Sequence, residues 1–277
     1  MFEILDKKRL NPQVVYMKLK APHVVENAKP GQFAVIKIDE KGERIPLTIV
    51  DRNKDAGTIS IIFQEVGKTT KELGMLRGGD EVMDVIGPLG RPARIEKIGK
   101  IICVGGGVGT AEIYPVARAF KDIDNEIVSI IGARNKDLLL LIDEIKAISS
   151  RFYITTDDGS AGRKGLVTDI LEELLRKEKF DLVYSVGPIL MMKKVAETTK
   201  KYNIKTIVSL NANMVDATGM CGTCRVKVGG KTKFTCVDGP DFDGHQVDFV
   251  EFINRDRRFK DREEESLKLY ENNKDKT

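Results

Sequence analysis

From residue 100 to residue 210, apolar runs of strand length alternate with segments of helical period, and this alternation restricts the fold more than any other feature. Residues 100–104, KIICV, are almost wholly apolar. Such a run suits a strand buried on both faces, because the pleat sends successive side chains to opposite sides. A glycine loop follows, then helical spacing over residues 111–121. Further strands are expected at 127–132, 152–156, 182–186 and 206–210, and helices at 139–148, 167–177 and 189–201. Alternation of this kind predicts an α/β domain built on a doubly wound parallel sheet with helices on both faces.

Before residue 98 the pattern differs. Short β-branched runs recur at 14–19, 33–38, 48–51, 58–64 and 81–85, with turns such as Lys29-Pro30-Gly31, Ala56-Gly57 and Arg77-Gly78-Gly79-Asp80 between them. Strands at this spacing predict a small closed β-barrel or sandwich. Period and composition both switch at 97–99. The expected organisation is a β-barrel over 1–97, the α/β domain over 98–210, a small module over 211–252 and a charged tail over 253–277. In the tail, Phe259, Leu267, Leu269 and Tyr270 could line a short helix; a solvated tail or a partner-docking arm fits equally.

The 277 residues, 41% hydrophobic and 32% charged, describe a globular chain. The net charge of +4 comes from interspersed Lys and Glu, which is a solvated surface and not a nucleic-acid footprint. No apolar run approaches the ~18 residues of a membrane span, and the first residues carry no apolar signal core, so a cytoplasmic protein is expected. There is no Trp and only two His, His23 and His245. A His-based catalytic constellation is hard to build from these, so no catalytic side chain is assigned and bound cofactors must supply the chemistry.

The module holds the most specific pattern. Asp216-x4-Cys221-x2-Cys224-x11-Cys236 has the spacing of a plant-type [2Fe–2S] site, with Asp216 where the first cysteine would stand. An ionised carboxylate offers an anionic oxygen in place of a thiolate. The same residues admit a zinc site, although structural zinc usually takes two short donor pairs and only one pair here is close. Buried free thiols would explain Cys103 but not the other three. Gly219 and Gly222 bracket Cys221 and permit a tight turn that aims N–H groups at inorganic sulfide. Residues 225–237 read as a hairpin turning at Gly229-Gly230, with Cys236 near the end of the returning strand. Cysteines arranged for a metal centre suit a reducing interior.

Between strand and helix, GGGVGTA places Gly105, Gly106, Gly107, Gly109 and Thr110 where a diphosphate would meet a helix N-terminus. Thr110 replaces the third glycine of the strict dinucleotide fingerprint, and a tight structural turn is the plainer reading of such a loop alone. Gly187-Pro188, Gly132-Ala133-Arg134 and Asp157-Asp158-Gly159 close other strands of the same sheet, at the ends where open parallel sheets bind ligands. The acidic pair would repel a 2′-phosphate, which favours NAD over NADP, although Asp157 could equally cap a turn. In the first domain, Arg44-Ile45-Pro46-Leu47-Thr48 suits a flavin lying across a barrel, with the guanidinium on its diphosphate. Gly67-Lys68-Thr69-Thr70 leads into a helix-like segment, 71–76, and offers N–H groups and hydroxyls. Taken singly, Arg44 is a surface charge and Thr69 a helix cap.

Together these pieces resemble the ferredoxin–NADP reductase superfamily, and their order is that of the electron-transfer subunits of dihydroorotate dehydrogenase B. That family's cluster motif, C-G-x-G-x-C-x-x-C followed by C-x-D-G-P, is matched by residues 216–224 and 236–240 except at Asp216. The chain is also similar to the small subunits of NADH-dependent reduced ferredoxin:NADP⁺ oxidoreductases, also described as sulfide dehydrogenase beta subunits, which carry aspartate there and a similar segment at 236–249. The resemblance implies FAD, a [2Fe–2S] cluster and NAD(H) as cofactors. Arg44, Pro46, Leu47 and Thr48 would hold the flavin, with Gln64, Gly67, Thr69 and Thr70 near its phosphates. Gly105 to Thr110, Asp157, Gly187 and Pro188 would hold NAD, and Asp216, Cys221, Cys224 and Cys236 the cluster. Gly31-Gln32-Phe33 would be structural.

The resemblance further implies a larger iron–sulfur flavoprotein as partner in a heterodimer, and coupling of NADH, NADPH and, indirectly, ferredoxin by electron bifurcation. The alternatives are dihydroorotate dehydrogenase as the partner, a stand-alone reductase, or a zinc-binding regulatory or assembly subunit.

Overall fold

In the computed structural model, which describes residues 1–274, the N-terminal part is a seven-stranded antiparallel sheet. Its elements are β1 (Phe2–Asn11), β2 (Val14–Lys20), α1 (Pro22–Val25), β3 (Phe33–Lys37), β4 (Arg44–Asn53), β5 (Thr58–Gln64), α2 (Lys68–Met75), β6 (Glu81–Val82) and β7 (Asp84–Leu89). The strand order is β6-β1-β2-β5-β4-β3-β7. Its two ends are neighbours in the chain, separated only by Met83, whose N–H reaches Ile38 O at 2.9 Å. One nearly continuous strand therefore pairs first with the start of β1 and then with β3, and the barrel is nearly closed.

Alternate residues fill it: Val15, Met17 and Leu19 of β2 share a core with Ile59, Ile61 and Phe63 of β5. β1 was not among the expected strands. Asp6, Lys7, Lys8 and Arg9 crowd its middle, and register shifts at Ile4/Asp6 and Arg9/Asn11 interrupt its period of two.

The next part contains β8 (Lys100–Gly106), α3 (Gly109–Asp122), β9 (Glu126–Ala133), α4 (Ile142–Ile148), β10 (Arg151–Thr156), β11 (Arg163–Lys164), α5 (Val167–Lys177), β12 (Leu182–Val186), α6 (Ile189–Lys201) and β13 (Thr206–Ser209). These strands pair in parallel. Ile101 and Cys103 of β8 face Ile113, Val116 and Phe120 of α3. Ile102 and Val104 face Leu171 of α5 and Val195 of α6. Two buried faces explain why the strand reads as an unbroken apolar run. α4 starts at Ile142, later than its apolar spacing suggests, because Leu141 takes a left-handed conformation with φ +52°.

The module opens with a hairpin, β14 (Arg225–Val228) and β15 (Lys231–Phe234). Gly229 and Gly230 both take positive φ, +57° and +75°, as a two-residue turn of the primed kind requires. The returning strand stops at Phe234, earlier than expected. Cys236 instead rides on a single helical turn, α7 (Thr235–Asp238), because the N–H and hydroxyl of Thr235 both donate to Cys224 O at 3.1 Å.

Next comes β16 (Asp241–Asp243), which pairs antiparallel with β13, so the second sheet runs β11-β10-β9-β8-β12-β13-β16. α8 (Phe249–Asp256) follows, and its Phe252 packs in one core with Cys224, Val226, Cys236, Met192 of α6 and Phe33 of the barrel. α9 (Lys260–Lys274) turns back to the barrel, where Glu271 pairs with Lys71 of α2 and the Tyr270 hydroxyl stands 3.6 Å from Met75 Sδ. Among the described residues, no helix is long and apolar enough to cross a membrane.

Candidate functional site

β8 lies between β9 and β12, and the chain leaves it in opposite directions across the sheet, so a crevice opens beyond its carboxyl end. The glycine loop occupies that crevice. A Cβ on Gly109 would stand 2.7 Å from Val186 O, and one on Gly106 would stand 2.5 Å from Met191 Sδ. Close packing of α3 on the end of β12 therefore demands glycine at 109, where the neighbour is backbone, whereas at 106 the neighbour is the end of a flexible methionine. Gly107 has φ +56° and nothing within 4 Å of its missing side chain, so it presents bare backbone to open space.

That space is a cavity of about 590 Å³, within the range of cofactor pockets. Of the expected nucleotide residues, Gly106, Gly107, Gly109, Asp157, Gly187 and Pro188 line it, joined by Gln64 of the barrel. Gly105 and Thr110 lie behind the wall, both buried, and Thr110 Oγ1 has no hydrogen-bond partner. The carboxylate of Asp158 accepts from Ser160 N–H at 2.9 Å and closes its own turn. Lys194 and Glu112 also line the cavity and were not singled out from sequence. Each sits about one turn into a helix that starts at a glycine loop, and that position is the signal that would have found them.

The flavin candidates lie mainly along β4. Arg44 is exposed at its start, and Pro46, Leu47 and Thr48 are half-buried. An apolar strip ending in a hydroxyl, with a guanidinium at its head, fits a flavin ring and its diphosphate. The α2 hydroxyls are engaged locally. Thr69 donates to Glu43 at 2.9 Å, while Thr70 closes on the N–H and C=O of Gly67, each at 3.0 Å. Apart from Gln64, none of these barrel residues lines the cavity.

Where the three parts meet, half-buried carboxyls gather. Glu112 of α3, in the cavity wall, is one of them. The Tyr184 hydroxyl of β12 donates to both oxygens of Asp241 on β16, at 2.9 and 3.0 Å. Burial, with the nearby Asp241 charge adding to it, pushes Glu112 up to about 7. Burial likewise lifts Asp241 to about 6, against hydrogen bonds from Tyr184 and Ser209. Burial and the Asp241 carboxylate drive the Tyr184 phenol well above its usual range.

In the module, the four expected donors form two pairs. Asp216 accepts the Thr218 N–H at 2.9 Å and the Cys221 N–H at 2.6 Å, which fixes its carboxylate beside Cys221. Left-handed conformations at Ala217, Gly219 and Gly222 let the loop make this turn. Cys224 Sγ and Cys236 Sγ form the second pair, both buried, while Cys221 is exposed. Burial raises the Cys221 thiol, but hydrogen bonds from Thr223 more than offset this and its pKa falls. Burial and the neighbouring Cys224 push Cys236 up to about 12.

Among the described residues, no three of the His, Cys, Asp and Glu side chains converge on one metal-binding point. A [2Fe–2S] cluster takes two protein donors at each of two irons, which matches the two pairs. The donor set fits the cluster.

Residues 211–248 match the iron–sulfur cluster binding domain of dihydroorotate dehydrogenase B, and residues 103–197 match the oxidoreductase NAD-binding domain. A homologue of the dihydroorotate dehydrogenase B (NAD⁺) electron transfer subunit from Thermotoga maritima is 46% identical, covering 97% of this chain and 95% of its own. A probable electron transfer subunit of the same enzyme from Methanocaldococcus jannaschii is 38% identical over 83% of this chain and 85% of its own. A chain in the solved structure of the NADH-dependent reduced ferredoxin-NADP oxidoreductase, studied for flavin-based electron bifurcation, superposes with a TM-score of 0.92. It is 45% identical and covers 98% of each chain.

Proposed function

The chain belongs to the family of dihydroorotate dehydrogenase B electron transfer subunits, and from that premise we propose that it is an electron-transfer flavoprotein subunit holding FAD, a [2Fe–2S] cluster and NAD(H). The observation that carries this reading is the pairing of donors, Asp216 with Cys221 and Cys224 with Cys236, in a module packed against a nucleotide cavity. When bound, the cofactors supply hydride transfer from NADH to the flavin and single-electron passage to the cluster.

The protein's residues bind and orient. Gly107 offers backbone to the dinucleotide diphosphate, and Asp157 in the cavity wall disfavours a 2′-phosphate and selects NAD. Pro46, Leu47 and Thr48 support the flavin ring, and Arg44 its diphosphate. Asp216 is held as an anion by backbone N–H groups, ready to serve as an oxygen donor to iron.

The partner is a larger iron–sulfur flavoprotein, and the complex couples NADH, NADPH and ferredoxin by electron bifurcation in the cytoplasm. Similarity along the full chain to the subunit of the bifurcating oxidoreductase supports this partner. So does aspartate at 216, where the dihydroorotate dehydrogenase motif has cysteine. Pairing with dihydroorotate dehydrogenase is the second reading, favoured by the names of the curated relatives.

The test is an anaerobic NADH titration of the purified chain, read by visible absorbance and low-temperature EPR, for wild type and Asp216→Cys. Flavin bleaching with a [2Fe–2S] signal whose g-values move in the variant is the expected result. A colourless, EPR-silent protein containing zinc would overturn it.

A further inference from the structure

We infer that Arg91 is a positioning residue for the electron step, because it fastens the turn that carries Cys236 to the barrel face that bears the proposed flavin residues. The inference rests on the electron-transfer reading above. In that step one electron leaves the reduced flavin, and one ferric iron of the cluster becomes ferrous. No heavy-atom bond forms or breaks, any proton that the flavin sheds goes to solvent, and NADH restores the flavin electrons as hydride. The rate of such a step depends on how closely and how firmly the two cofactors are held, which is the protein's part of the chemistry.

The barrel sets the distance. Residues directly opposite one another on antiparallel strands point to the same face. Phe33 of β3 is opposite Thr48 of β4, and Val35 is opposite Pro46. These four share the face turned away from Ala34 and Ile36, which fill the barrel core. Phe33 and Val35 are buried there in one core with Cys224 and Cys236 of the module. Two proposed flavin residues and two cluster donors therefore meet the same pair of side chains.

The segment after β7 fixes the module on that face. Leu89 pairs with Phe33, and Gly90 follows with φ +74°. A Cβ on Gly90 would stand 2.8 Å from Phe33 Cε1 and 3.2 Å from Pro240 Cδ, so the chain is wedged between barrel and module. Gln32 Nε2 donates to Gly90 O at 2.8 Å and holds the bend from the barrel side. Arg91 then reaches across. Its N–H donates to Gly239 O at 2.6 Å, its Nε donates to Val237 O at 3.2 Å, and its guanidinium pairs with Asp238 at 3.5 Å. Asp238 in turn accepts the Phe234 N–H at 3.0 Å. These partners flank Cys236 on both sides.

The Arg91 side chain is 68% exposed, and exposed ion pairs add little to stability. The shared core already keeps the module on the barrel. What the guanidinium adds is direction, since its planar fork grips a carbonyl and a carboxylate on adjacent residues.

The test uses the holoprotein as wild type, Arg91→Ala and Arg91→Lys. Arg94→Ala is the control, because Arg94 bonds Glu96 of its own segment. Stopped-flow mixing with NADH follows hydride transfer as flavin bleaching. Laser-flash photoreduction of the flavin starts the electron step directly, and cluster reduction is read by absorbance. Arg91→Ala is expected to leave bleaching within about twofold and to slow cluster reduction about tenfold, with iron content and EPR g-values as in wild type. Arg91→Lys keeps the charge but not the fork, and should show the same split at about threefold. Arg94→Ala should match wild type in both steps.

A second measurement, backbone hydrogen exchange of the resting protein, is expected to speed up about tenfold across residues 234–240 in Arg91→Ala. An electron step that is unchanged, or slowed no more than bleaching, would overturn the proposal, as would unchanged exchange. If Arg91→Ala does not retain the cluster, Arg91→Lys decides by the same two readouts. A wild-type chain without flavin or cluster would sink the electron-transfer reading instead, and exchange would still decide whether Arg91 holds the turn.

Discussion

Cys224 Sγ stands 3.2 Å from Cys236 Sγ although a whole hairpin separates the two residues in the chain. The twin bonds from Thr235 to Cys224 O create this approach by ending β15 early and curling the next residues into α7. In the proposed cluster site these two donors, brought together by the fold and not by sequence proximity, would serve one of the two irons.

Replacing either of this pair should therefore abolish the cluster. Cys224→Ala or Cys236→Ala is expected to lose the visible iron–sulfur absorbance and its iron and sulfide content. Cys103 is buried in β8, far from this role, with its thiol pushed up to about 12 by burial alone. Cys103→Ala should keep full cluster content and cost about 1 kcal/mol in thermal unfolding.

The glycine loop separates stability from binding. Gly109→Ala would drive a methyl group to 2.7 Å from Val186 O and should destabilise the fold by about 2–3 kcal/mol. Gly107→Ala meets no atoms, yet its φ of +56° strains any other residue by about 1 kcal/mol. Its methyl enters the cavity, so KM for NADH should rise about tenfold with a nearly unchanged unfolding temperature.

Stability should depend on pH with two opposite signs. Glu112 and Asp241 have folded pKa values of about 7 and about 6, raised above those of an unfolded chain. The folded protein binds protons that the unfolded chain has already lost, so stability falls as pH rises through this window and levels off above about pH 7. For Glu112 the drop is on the order of 2 kcal/mol, and Glu112→Gln should flatten it in urea midpoints measured from pH 5 to pH 8.

Glu178 behaves in the opposite way. Hydrogen bonds from Arg151 at 2.5 Å and Lys100 at 2.8 Å hold it down at about 2, so its contribution is present above the usual carboxylate range and is lost as pH falls toward 2. The network is partly solvated, so Glu178→Gln should cost less than about 1 kcal/mol at pH 7.

The tail helix should be a weakly held element. Glu271→Lys reverses the pairing of α9 with Lys71 and should speed hydrogen exchange across residues 260–272, lowering global stability by less than about 1 kcal/mol.

Much of this was legible in the sequence because burial on two faces leaves a plain record. The bounds 58–64, 167–177, 182–186 and 189–201 read from apolar period coincide with β5, α5, β12 and α6. β1 was hidden because its outward positions are charged and its bulges break the period. Closure of the barrel through Met83 is a long-range pairing with no local signature. The donor spacing from Asp216 to Cys236 stands in the sequence, but its division into pairs depends on where α7 begins. Glu112 and Asp241 become neighbours only when α3 and β16 meet, so neither carboxylate could announce the other.

β16 belongs to the module by sequence and to the nucleotide sheet by hydrogen bonding, with Val208 opposite Phe242. Severing the chain after Leu210 would strip β13 of its neighbour and leave a raw border, ready to zip onto another molecule. The electron carrier at the end of this chain is thus also its selvedge.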